Sequence, residues 1–211
     1  MKSRVFNYGG IAAALILIAF GIGALVMGAN GRDTVRTNIS KESIVGTPDM
    51  TPTAIAAEAK KAGLKNVDIP SKSVAGQTID TGGEAKTFAE YMRIHALEGT
   101  GGQVYAQMGR YLDAKGKATN DESAAAKDPK TGQPVENGAR NLWVTETALS
   151  TALNTSYFAE NVANFAIVMG AALLLTGIGF LVLTLGLASP KRRTKETEVV
   201  TPATTGVPAT S

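Results

Sequence analysis

Residues 161–189 read NVANFAIVMGAALLLTGIGFLVLTLGLAS, and none of these side chains is Asp, Glu, Lys, Arg or His. A helix rises about 1.5 Å per residue, so roughly 20 apolar residues cross the roughly 30 Å hydrocarbon layer of a bilayer. This run is long enough. A second uncharged run, VFNYGGIAAALILIAFGIGALVMGANG, occupies residues 5–31. Together they decide the fold class. It is mainly α, with two transmembrane helices flanking a small, mostly helical extracytoplasmic domain. The boundaries that follow are a cytoplasmic N-terminus at 1–4, a first span at 5–29, an exterior domain at 30–160, a second span at 161–188 and a disordered cytoplasmic tail at 189–211.

Whole-chain composition hides this division. The 44% hydrophobic content looks globular only because two apolar runs offset a polar middle. The chain carries 21 Lys and Arg against 18 Asp and Glu, yet residues 32–160 hold 15 basic and 16 acidic side chains. The excess positive charge therefore sits at the ends. Lys2 and Arg4 precede the first run, and Lys191, Arg192, Arg193 and Lys195 follow the second. Basic residues beside a span are retained in the cytoplasm, while long domains between spans have little influence. Both termini are thus expected inside the cytoplasmic (plasma) membrane of a two-span, multi-pass protein, with 30–160 outside. A basic start before an apolar stretch also fits a secretory signal peptide. The run exceeds the usual signal core, however, and residues 26–30 lack a small-x-small cleavage site, so an uncleaved anchor is expected.

The same inventory excludes several functions. No basic stripe interleaved with aromatics marks the middle segment, so no nucleic-acid partner is expected. The partners implied are the lipid bilayer, other membrane proteins, or a second copy of the chain. There is no cysteine, which removes disulfides, thiol catalysis and cysteine-based zinc sites.

Within the middle segment, Arg32 to Met50 reads as a polar connector. Thr51-Pro52 is a helix start, with Thr as N-cap and Pro at the first helical position. The helix so begun runs to Ala62, and Gly63 is placed to end it in a left-handed cap. Leu64 to Pro70 and Val74 to Asp80 alternate as short extended segments do. In Glu84 to Glu98, Phe88, Tyr91, Met92 and His95 share one helical face. Thr100-Gly101-Gly102 ends that helix, and Val104 to Leu112 reads as a further short one. Residues 113–138 are rich in Asp, Lys, Asn and Gly and read as an exposed flexible loop. From Arg140 no Gly or Pro interrupts the run into the second span, so one continuous helix to about Leu187 is expected.

Few residues invite a chemical role. His95 is the only histidine. Its placement on an apolar face predicts a packed side chain with one hydrogen bond, and proton transfer is the functional alternative because imidazole titrates near neutrality. A metal there would need carboxylates for its other ligands. No metal, cofactor or catalytic residue is assigned. Gly99 to Gly102 lacks the Gly-Lys-Ser/Thr ending of a phosphate loop, and no Gly-x-Ser-x-Gly elbow is present. Small residues at four-residue spacing, Ala19/Gly23 and Ala24/Gly28 in the first run and Ala166/Gly170 in the second, allow close helix approach. Gly23, Gly28, Ala166 and Gly170 are accordingly the candidates for packing the two spans together.

Arg93-Ile94-His95-Ala96-Leu97-Glu98, Thr100-Gly101-Gly102-Gln103-x-Tyr105-Ala106, Arg140-Asn141-Leu142-Trp143 and Thr147-Ala148-Leu149-x-Thr151-Ala152-Leu153 recur in a recognisable pattern, with Gly177-Ile178-Gly179 beyond. Over residues 90–185 or so the chain resembles uncharacterised two-span membrane proteins of actinobacteria, a group commonly labelled aromatic ring-opening dioxygenases. The label implies non-haem iron held by two histidines and a carboxylate. This chain has one histidine, so that chemistry is not expected. The reading that follows is a non-enzymatic interaction or accessory subunit. A sensor binding a small molecule outside the membrane is the alternative, and a ring-cleaving dioxygenase comes last.

Overall fold

The computed structural model describes residues 2–188, with side chains from residue 7 to 186; the expected tail and the Lys191–Lys195 cluster lie outside the described residues. Four helices dominate. They are α1 (Lys2–Lys41), α2 (Pro52–Lys61), α3 (Gly82–Gly99) and α4 (Gly138–Ala188). The 51 residues of α4 form one uninterrupted helix, about 76 Å long at the usual rise. Both α1 and α4 contain stretches long and apolar enough to cross a membrane. Only 11% of either stretch is buried by the rest of the chain, unlike the core helix of a globular fold.

α1 does not stop at the end of its apolar run. The expected connector from Arg32 is helical as far as Lys41. Tertiary packing accounts for this, because Val35 and Ile39 extend the buried side of the helix into a core shared with Leu153 of α4. Ser43 then turns the chain with a positive φ of 52°.

The shorter helices begin and end where local chemistry directs. The Thr51 hydroxyl accepts from the Ala54 amide at 3.2 Å, Pro52 opens α2, and Gly63 follows with φ +68°. At α3 the Thr81 hydroxyl accepts from the Glu84 amide, while the Glu84 carboxylate accepts from Thr81, closing a capping box. Ile55, Ala59, Val74, Ile79, Ala85, Ala89, Tyr91 and Ile94 form the core between these helices. The buried Tyr91 donates its hydroxyl to the Lys72 carbonyl at 2.9 Å.

The extended segments pair less than their alternation suggests. Val45 bridges to Thr78 and Gly46 to Ala75, with the Gly46 amide donating to Gln77 O at 2.9 Å. A Cβ on Gly46 would fall 1.8 Å from the Val74 carbonyl oxygen, so only glycine fits. The helix expected over Val104 to Leu112 is a single 3₁₀ turn at Tyr105–Gln107, followed by β1 (Tyr111–Leu112) paired antiparallel with β2 (Ala118–Thr119). Gly109 admits that pairing, since a Cβ there would lie 2.5 Å from the Thr119 nitrogen. The expected loop at 113–138 is hydrogen-bonded as a series of tight turns. Asp113, Asp121 and Asp128 each accept from amides two to four residues on, and Ala126 and Val135 pair with one another and with Leu112. Such side-chain turns satisfy the backbone locally and leave no helical or alternating signature.

α1 and α4 pack antiparallel along a seam of small residues. Ala14, Gly21 and Gly28 recur every seven positions on α1, and Ala163, Gly170 and Gly177 do so on α4; all are buried. A Cβ on Gly170 would lie 2.7 Å from the Leu25 nitrogen and 2.8 Å from the Gly21 carbonyl oxygen, closer than side-chain carbons come. Gly21 in turn faces Leu174 and Gly170, Gly28 faces Ala163 and Ile167, and Gly177 faces Ala14 and Ile18. A seven-residue period favours a left-handed supercoil. This places two of the candidate packing residues, Gly28 and Gly170, on the seam. Ala166 is half-buried beside it. Gly23 is corrected: nothing lies within 4 Å of a Cβ built there. Two residues amount to about 200° of helical rotation, which turns Gly23 away from the face that carries Gly21.

Above the seam, Glu160 joins three helices. Its side chain is only 7% exposed and accepts at Oε1 from Arg36 Nε of α1 at 2.7 Å. At Oε2 it accepts from the Gly82 amide, the first residue of α3, at 2.5 Å. A carboxylate there also opposes the positive end of the α3 dipole. Gly82 permits the approach, because a Cβ would sit 2.8 Å from both Glu160 Oε2 and Tyr157 Cα.

Two outcomes follow from these contacts. Glu160→Ala should lower the stability of the region between α1 and α4 by about 2 kcal/mol, the scale for losing hydrogen bonds to a buried charge. Arg36→Ala should cost less, since that side chain is half exposed. Denaturant midpoints measured in detergent decide the order. Secondly, Gly21→Leu or Gly170→Leu should abolish disulfide cross-linking between cysteines introduced across the seam, whereas Gly23→Leu should leave it intact. Equal cross-linking in all three variants would rule out this seam.

Candidate functional site

The only histidine stands where loop, α2 and α3 converge. Residues 47–51 form a tight turn, with the Met50 amide donating to Thr47 O at 3.0 Å and the Thr51 amide to Asp49 O at 2.7 Å. The turn is tied down through the Met50 carbonyl, which accepts from the Val74 amide and the Ser73 hydroxyl. Asp49 projects from it. In α2, Ile55 and Ala59 fill the core, and Glu58, next to Ala59, stands at the edge of that face. In α3, Ile94 and Ala96 are buried on either side of His95.

His95 Nε2 lies 3.3 Å from Asp49 Oδ2, and Nδ1 lies 3.9 Å from Glu58 Oε2. One donor atom from each residue falls within 4.8 Å of the other two, and all three residues are half-buried. The Asp49 carboxyl is held below its ordinary value. The chief cause is a hydrogen bond from the Thr47 side chain; partial burial opposes it, and the backbone amide and His95 assist.

The expectation of a packed histidine on an apolar face is thereby corrected. Tyr91 on that face is fully buried, and Phe88 and Met92 pack against the core. One turn beyond Met92, however, the neighbours of His95 are two carboxylates. No local motif links 49, 58 and 95. Only the fold brings them together, so the sequence carried no signal for the pair that flanks the histidine.

A second feature lies between α1, α3 and α4. An apolar cavity of about 550 Å³ is lined chiefly by Ile39, Ile44, Phe88, Met92, Leu149 and Leu153. On the opposite side of α4 from the cavity-lining Leu149, Val144 and Phe158 are exposed, Phe158 to 68%.

Comparison with known proteins finds no family model, no curated protein and no solved structure that matches this chain.

Proposed function

We propose that the chain is a two-span protein of the cytoplasmic membrane, with both termini inside and the region from about residue 30 to 160 outside, acting as a non-enzymatic interaction or accessory subunit. The observation that carries the membrane reading is the outward surface of the α1–α4 pair. Phe20, Met27, Phe165, Val168, Leu175 and Leu183 all point away from the chain, with Met27 76% and Leu175 70% exposed. A surface this apolar needs lipid around it. Orientation rests on Lys2, Arg4 and the Lys191–Lys195 cluster.

The interaction role is supported by the part of α4 that would stand clear of the bilayer. There Val144 and Phe158 are exposed on one side of the helix, although they lie next to the folded region. Apolar side chains left uncovered on a helix are what a partner helix or a second copy would cover. The cavity beside Phe88 and Met92 favours a second reading, an extracytoplasmic sensor for a small apolar molecule, signalling through α4.

A phosphatase inserted between Gly116 and Gly132 should be active in intact cells, and one fused after Ser211 inactive; the reverse pattern defeats the orientation. Gentle extraction of the tagged protein from membranes should retain a stoichiometric companion, or a second copy. Val144→Ser with Phe158→Ser should release it without unfolding the chain. A protein that runs as a monomer with no companion, before and after substitution, counts against the interaction role.

A further inference from the structure

We infer that Asp49, Glu58 and His95 form a binding site for one divalent transition-metal ion, held by an imidazole nitrogen and two carboxylate oxygens. The inference does not depend on the membrane topology proposed above. It starts from donor chemistry. Imidazole binds zinc and its neighbours in the first transition row, and carboxylates complete such sets. Metal–donor bonds of about 2.1 Å in a tetrahedral arrangement separate the donors by about 3.4 Å. His95 Nε2 and Asp49 Oδ2 are already 3.3 Å apart. Glu58 Oε2, at 3.9 Å from the other ring nitrogen, belongs to the same group of donors within 4.8 Å. The two carboxylates face different ring nitrogens, so an ion held on one nitrogen draws the carboxylate that faces the other toward it.

Charge points the same way. Among the described residues, the ion pairs are Arg36–Glu160, Lys86–Glu90 and the two made by His95, so neither Asp49 nor Glu58 pairs with a Lys or Arg. With the imidazole neutral, two carboxylates converge with no cation between them. A divalent ion removes that repulsion and uses the neutral ring as a ligand. Placement adds to the case, since the donors come from three segments: the 47–51 turn, α2 and α3. An ion there would cross-link a small core that has no cysteine. Three protein donors also leave at least one position for water or another ligand, as open zinc sites do, and the residues are half-buried rather than sealed.

The test uses the full chain, without a polyhistidine tag, purified in detergent, stripped with chelator and titrated with zinc ion. The expected result is one equivalent bound per chain, with a higher melting temperature. Asp49→Asn, Glu58→Gln and His95→Gln should each weaken binding at least tenfold and remove the thermal shift. Glu90→Gln, which alters a carboxylate outside the cluster, should change neither. Circular dichroism checks that each variant is folded, and if one is not, the wild-type stoichiometry together with the remaining variants decides. Absence of saturable binding at one equivalent overturns the assignment. So does binding that persists unchanged in His95→Gln.

Discussion

The two long helices touch backbone to backbone, and the rest of the structure depends on that contact. For a pair set in lipid, as proposed above, apolar side chains gain nothing by leaving one apolar surface for another, so association would come from dispersion at short range. Ala14, Gly21, Gly28, Ala163, Gly170 and Gly177 supply it by withholding bulk from the contact face. Close approach then sets the spacing at which Arg36 reaches Glu160. Glu160 in turn seats the first residue of α3, and from α3 the remaining core is assembled around Tyr91 and Ile94.

Stability is spread across few large groups. Trp143 packs with Ala96 and Met108 in a second small cluster under the guanidinium of Arg93, which lies 5.0 Å from the ring centre. Arg140 stands 4.0 Å above the Tyr105 ring. Cation–aromatic contacts of this kind contribute about 0.5–1 kcal/mol each at exposed sites. The first ties α3 to α4, and the second, with the Met108 contact, fastens the 100–112 segment to the start of α4, where a chain of turns would otherwise have little apolar surface to bury.

What the sequence disclosed was what local chemistry determines. Thr51-Pro52, Thr81 with Glu84, and Gly63 mark helix ends because each satisfies its own neighbouring amides or tolerates a positive φ. The two uncharged runs and the unbroken α4 were readable for the same reason. The misses are non-local. Arg32 to Lys41 is helical because Val35 and Ile39 find Leu153, more than a hundred residues away. Gly21 and not Gly23 lies on the seam because the helices meet at a seven-residue spacing, whereas Ala19/Gly23 follows a four-residue one. The carboxylate partners of His95 lie at no fixed distance from it along the chain.

The seam also has a register. Ile18 lies over the gap left by Gly177, Ile167 over Gly28, and Leu25 against Gly170. Each notch holds a branched side chain from the opposite helix, like teeth in a rack. Sliding one helix by a single turn, about 5.4 Å, would push branched residues against one another instead of into notches. A piston stroke of one helix past the other is thereby blocked. Movement along the axis must carry α1 and α4 as a unit, which leaves tilting and rotation of the joined pair as its remaining freedoms.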